Sequence, residues 1–210
     1  MFAKKILAWY KLGIAGLVIV AVVAQFIEAS TRPTFNPVNF FSFFTIESNI
    51  LAALIFVGIG IAYLMGRDGK RLVLLRGAAT LYMTVTGIVY ALLLSGSEEA
   101  LSTTIPWVNF VLHYLFPFVA FADWFIDRPA VRVTLKQSLW WLIFPIAYLA
   151  YSLTRGALTG WYPYPFLNPA NGGYGQVAFV ASLIALVTLV ACALFAKLSS
   201  STAPKKRSKK

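Results

Sequence analysis

Two residues in this chain have the types that nucleophilic acyl chemistry needs, Thr45 and His113. His113 is the only histidine among the 210 residues. A threonine hydroxyl attacks an ester carbonyl poorly by itself. An imidazole beside it can take the hydroxyl proton during attack and return it to the leaving group. Histidine is the side chain whose ordinary pKa suits that exchange near neutral pH. Thr45 stands in the stretch Phe40-Phe41-Ser42-Phe43-Phe44-Thr45-Ile46-Glu47-Ser48-Asn49-Ile50-Leu51. In a helix, Thr45, Ser48 and Asn49 fall at i, i+3, i+4 and share a face. Ser48 is thus a rival nucleophile. Asn109 precedes His113 by one turn, and Pro117 follows by another. The amides of Asn49 or Asn109 could donate to a developing oxyanion.

Other polar residues extend the set. Thr86 and Tyr90 are spaced i, i+4, and Tyr148, Ser152 and Arg155 are spaced i, i+4, i+7. Arg155 could hold a substrate carboxylate. Tyr90 and Tyr164 are further candidates to contact substrate or oxyanion. Each residue also has a plainer explanation. A threonine in a membrane helix often bonds back to the carbonyl at i−4, here Phe41. A lone buried histidine often bonds a neighbouring helix. One His and one Cys supply too few ligands for a metal, and no cofactor is implied.

The elements that must position these residues are membrane spans. The chain is 60% hydrophobic and 12% charged, with a mean hydropathy of +0.76. That composition indicates an all-α polytopic membrane bundle, and no alternating ten-residue barrel pattern appears. Six apolar runs cover 12–27, 41–65, 73–94, 106–126, 139–153 and 177–195, within a transmembrane domain of residues 1–198. The first run could instead be a signal peptide, with Lys4 and Lys5 ahead of an apolar core. Trp9 and Tyr10 before Lys11 read better as an interface belt on a retained span.

With the N-terminus inside, all of the 18 Lys and Arg except Arg32 and Arg155 fall on the inner side, which makes both termini cytoplasmic. The net charge of +11 is therefore topological, and no nucleic-acid partner is implied. Residues 199–210 form a basic tail, read as disordered. The outer loop 155–175 is rich in Pro, Gly and aromatics and could lie over the bundle mouth as a lid. Asp123 and Asp127 sit beside Arg128 and Arg132, their expected partners. Counted from the outer surface at 1.5 Å per residue, Thr45 lies ~6 Å down and His113 ~10 Å down. The two are at nearly the same depth. Four helices turn polar faces toward one outer cavity.

Six spans, Phe44-Thr45, Trp107-Val108-Asn109 followed by His113 and Pro117-Phe118, and Thr159-Gly160-Trp161 with Tyr164-Pro165-Phe166-Leu167 together resemble the androgen-induced gene 1 family. Animal members of that family are multi-span hydrolases of fatty acid esters of hydroxy fatty acids that use an intramembrane Thr and His. The resemblance implies Thr45 as nucleophile and His113 as base, with membrane lipids and a lipid ester as partners. Ile46-Glu47-Ser48-Asn49 departs from the animal pattern. The likeness is closer to the family's bacterial branch, which implies the bacterial cytoplasmic membrane. Two other classes stay open: a non-catalytic protein that binds or moves a lipid or small solute, and a structural bundle whose polar residues only join helices.

Overall fold

A computed structural model of the chain describes residues 2–96, 104–129 and 131–202. Among these residues the chain is all helical. The helices are α1 (Phe2–Ser30), α2 (Pro37–Phe41), α3 (Phe44–Leu64), α4 (Lys70–Val89), α5 (Pro106–Phe110), α6 (Phe116–Ile126), α7 (Leu135–Ser138), α8 (Ile143–Thr159) and α9 (Gly173–Thr202). A π-helical turn, Tyr90–Leu94, extends α4, and a second, Val111–Leu115, joins α5 to α6. Among the described residues five helical stretches are long and apolar enough to cross a membrane: Phe2–Ser30, Phe44–Leu64, Lys70–Leu94, Pro106–Ile126 and Gly173–Ser199. Such a set fits a multi-pass membrane protein.

The run expected at 139–153 is not one regular helix. It starts as α7 under a Thr134–Gln137 capping box, tightens into a 3-10 turn at Leu139–Leu142, and continues as α8. Pro145 has no N–H for the carbonyl one turn back, which favours a change of helical pitch there. The tail also begins later than residue 199. Helix α9 runs to Thr202, and Ser199 is fully buried with its hydroxyl accepting from the Val133 N–H at 2.9 Å. Residues 203–210, the rest of the expected tail, lie outside the described residues.

Small residues let the first two long helices approach closely. Ala8 and Ala15 of α1 and Ala52, Ala53 and Gly60 of α3 are buried at this contact. A Cβ on Gly60 would come 2.8 Å from Leu12 Cγ. At the end of the bundle away from Thr45, four helices meet in a buried charge network. Lys11 of α1 pairs with Asp123 of α6, and Arg76 of α4 pairs with Asp127. Lys4 and Lys11 lie 3.0 and 3.3 Å from the Asp127 carboxylate. Tyr10 and Tyr63 donate to Asp123 and Asp127 at 2.7 Å each. Lys11 and Asp123 are both 0% exposed. The aspartates therefore reach across the bundle to Lys11 and Arg76 rather than to the expected Arg128 and Arg132. Burial makes the difference, because a desolvated carboxylate needs the cation that is desolvated with it.

Burial alone would raise the Asp127 carboxyl. Arg76 and Lys11 outweigh that and hold it at about 2, below its ordinary 3.8. A depressed carboxyl contributes stability above its ordinary pKa and loses it as the pH falls toward the folded value. The protein should therefore lose stability between about pH 4 and pH 2. Asp123→Ala should cost about 3–5 kcal/mol, because Lys11 loses its nearest carboxylate and two buried cations are left to share Asp127. Denaturant unfolding in micelles measures both effects. A variant as stable as the native chain would show that the network does not hold the helices.

Candidate functional site

Thr45 sits where a helix begins, not in the middle of one. Asn36 caps α2 by accepting from the Val38 and Asn39 N–H groups, and α2 stops at Phe41. Phe43 is extended (φ −78°, ψ 128°), and α3 starts at Phe44. The expected continuous helix over 41–65 is therefore broken at Ser42–Phe43. Phe41 belongs to another helix, and the Thr45 hydroxyl faces His113 instead. Thr45 Oγ1 lies 3.3 Å from His113 Nε2. Thr45 is 6% exposed and His113 1%.

The imidazole is held from two sides. Its Nδ1 lies 2.6 Å from Asn109 Oδ1, and Asn109 Nδ2 donates to the Tyr90 hydroxyl at 2.8 Å. The Tyr90 ring stacks on the imidazole with centroids 3.8 Å apart and planes 18° apart. An amide oxygen only accepts, so in this arrangement Nδ1 carries the proton and Nε2 offers its lone pair to Thr45. Both Tyr90 and His113 lie in the π-helical turns. Such turns shift the side chains that follow by part of a turn and are frequent at functional sites. Pro117, with no N–H, closes the second π turn. Gly87 lets that segment pack against α4: a Cβ there would stand 3.0 Å from Pro117 Cβ.

The broken helix leaves N–H groups at the start of α3 without helical carbonyls. Two tyrosine hydroxyls take them. Phe44 N–H donates to Tyr148 of α8 at 3.1 Å, and Thr45 N–H donates to Tyr164 of the outer loop at 3.2 Å. Tyr148 directs its own proton to the Ser42 carbonyl at 3.0 Å. The Tyr164 hydroxyl also faces the Thr45 side chain, and burial pushes its pKa up, so it remains a proton donor at neutral pH. Tyr148 was legible only as part of a polar helix face. Its contact depends on the break at Ser42–Phe43, for which a run of phenylalanines carries no stop signal.

The remaining candidates lie around this pair. Ser48 Oγ stands 3.0 Å from Thr86 Oγ1 and donates to the Thr45 carbonyl at 3.3 Å, so it faces α4. Asn49 Nδ2 donates to the carbonyls of Thr45 at 2.9 Å and Leu112 at 3.2 Å. With Asn109 bonded to His113 and Tyr90, both amides expected to serve an oxyanion act as braces. Arg155 is near the C-terminal end of α8, donating to Asn39 Oδ1 at 2.6 Å and stacked 4.7 Å over the Trp161 ring. Glu47 lies in the first turn of α3, where the helix dipole favours negative charge.

Beside Thr45 a cavity of about 370 Å³ opens between α4, α8 and α9, under Phe166 and Leu167 of the outer loop. Thr45, Thr86, Tyr148 and Tyr164 provide its polar wall, and nearly all the rest is hydrocarbon. The outer loop thus brings a hydroxyl to Thr45 and roofs the cavity. No protein-family model, curated protein or solved structure matches the chain.

Nitrogen NMR of the single histidine should find a neutral ring with Nδ1 protonated and Nε2 bare, and Asn109→Ala should remove that preference. A ring protonated at Nε2 in the native protein would mean that Thr45 faces a donor, not a base.

Proposed function

We propose that the chain is a multi-pass membrane hydrolase of lipid esters, with Thr45 as nucleophile and His113 as its base. The observation that carries this reading is the 3.3 Å approach of Thr45 Oγ1 to an oriented His113 Nε2, at a helix N-terminus facing an apolar cavity. That separation suits a resting site, since catalytic hydrogen bonds tighten when substrate binds. The resemblance to the androgen-induced gene 1 family points the same way.

The chemistry follows from the positions. His113 Nε2 takes the Thr45 proton as Oγ1 bonds to the acyl carbon. The carbonyl oxygen becomes an oxyanion, to which Tyr164 donates at the positive end of α3. As the intermediate collapses, the ester C–O bond breaks and His113 returns the proton to the leaving alkoxide. Water then attacks the acyl-threonine with His113 again as base, releasing the carboxylic acid and restoring Thr45. Asn109 and Tyr90 keep the imidazole in its working tautomer.

In this reading α7, the 3-10 turn and α8 together form the sixth span. Leu135–Thr159 is helical throughout, which exceeds the ~20 residues a bilayer core requires. The Lys and Arg bias supports cytoplasmic termini and a site in the outer half of the membrane. The pairing of Lys4 and Lys11 with Asp127 and Asp123 supports a retained first span. The membrane is the cytoplasmic membrane of a bacterium, by the family's bacterial branch.

Purified protein offered fatty acid esters of hydroxy fatty acids, branched only at the alcohol part, should release free acid. His113→Ala should lower kcat/KM by about 10²–10⁴-fold, and Thr45→Ala by at least as much. Tyr164→Phe should lower kcat by roughly 10²-fold with little change in KM. Full turnover by Thr45→Ala and His113→Ala together would sink the proposal. Saturable ester binding without product would favour a carrier instead.

A further inference from the structure

The cavity beside Thr45 has a shape that its chemistry does not require. A hydrolase needs room for a carbonyl, whereas this space runs well past Thr45 along α8 and α9. On α9 its wall includes Ala181, Ala185, Thr188 and Leu189. From Ala181 to Leu189 the helix rises ~12 Å. The two alanines leave the width open. At the far end the Thr188 hydroxyl donates to the Ile184 carbonyl at 2.7 Å, so that end, too, asks for no hydrogen bond from an occupant. Among the described residues no charged side chain lines the cavity. A polar solute there would leave its hydrogen bonds unmade.

The cavity also has a side door. Ile146 of α8 and Leu189 of α9 both line it, yet they are 64% and 45% exposed. They therefore stand at its mouth on the outer face of the bundle. Helix α8, through Pro145, Ile146 and Leu149, and helix α9, through Ala181, Ala185 and Leu189, line the cavity from two sides with a gap between Ile146 and Leu189. In a membrane that gap opens onto acyl chains.

We infer that the space between α8 and α9 is a slot that admits one medium-length acyl chain sideways from the bilayer and measures it against the buried Thr188. This inference rests on the hydrolase reading for the position of the carbonyl, at Thr45. A hydrocarbon chain advances ~1.3 Å per carbon by ordinary bond geometry, so the 12 Å wall accommodates about nine carbons. The substrate class is therefore an ester whose acyl group is unbranched and of medium length. Its alcohol part lies outside the slot.

The experiment is a chain-length series on full-length protein in nanodiscs. Turnover of 4-nitrophenyl esters from butyryl to stearoyl is measured first. Thermal stabilisation by the corresponding free fatty acids is measured separately. Decanoyl or dodecanoyl esters should be the best substrates. Thr188→Phe fills the far end and Ala185→Phe fills the middle. Both should lower the decanoyl-to-butyryl ratio of kcat/KM by at least about tenfold, with Ala185→Phe favouring the shorter chain. Ala185 is exposed on the open cavity wall, so its variant has room to fold, and melting temperatures check both. Esters turned over with a flat length profile, or variants that leave the ratio within about twofold of the native value, would overturn the slot and leave the hydrolase standing. No turnover at all, with fatty-acid stabilisation that peaks at medium length and shifts in the variants, would keep the slot and sink the hydrolase.

Discussion

A helix that begins inside an apolar interior exposes N–H groups that no water can reach, and α3 begins there. The unmade bonds at Phe44 and Thr45 would each cost a few kcal/mol in such surroundings. Tyr148 and Tyr164 meet that demand from two different segments. The same contacts draw α8 and the outer loop onto Thr45 and, in the proposed reaction, place the Tyr164 hydroxyl where an acyl oxygen would develop charge. Satisfying the backbone and building a site are one event here. Had α3 continued from α2 without a break, Thr45 would have had a carbonyl at i−4 and no reason to face His113.

The charge network at the other end works differently. Its four most buried members, Lys11, Arg76, Asp123 and Asp127, balance in sign and come from α1, α4 and α6. Buried pairs of this kind add little net stability over a well-packed apolar core, but losing one partner is expensive. They thus fix which helices are neighbours. With α1, α4 and α6 fixed at one end, His113 and Tyr90 are brought to the same level at the other, ready to stack.

Much of this was legible in the residues. Depth counting put Thr45 and His113 near one level, and their side chains lie 3.3 Å apart. The i, i+4 spacing of Asn109 and His113 gave their contact. Five apolar runs correspond to long apolar helices: 106–126 keeps its ends, 12–27, 73–94 and 177–195 extend beyond theirs, and 41–65 starts later, at Phe44. The rest depended on information that periodicity does not carry. An aromatic run gives no sign of the break at Ser42–Phe43. The π turns carry no periodicity signal of their own, and the close packing of Gly87 on Pro117 beside them is a tertiary contact. The partners of Asp123 and Asp127 were misassigned because sequence proximity favoured Arg128 and Arg132, while burial selected cations more than forty residues away.

Thr45 was separable from Ser48 only by geometry, since both hydroxyls sit on the same helical face. Ser48 turns to Thr86, and Thr45 turns to His113. The most direct measurement of the central claim is therefore the site of covalent capture. The native protein is treated in membranes with a fluorophosphonate of the serine and threonine hydrolase class and then mapped by peptide mass spectrometry. The adduct should lie on Thr45 and should vanish in His113→Ala, where the hydroxyl loses its base. An adduct on Ser48, or labelling that persists undiminished in Thr45→Ala, would contradict the account.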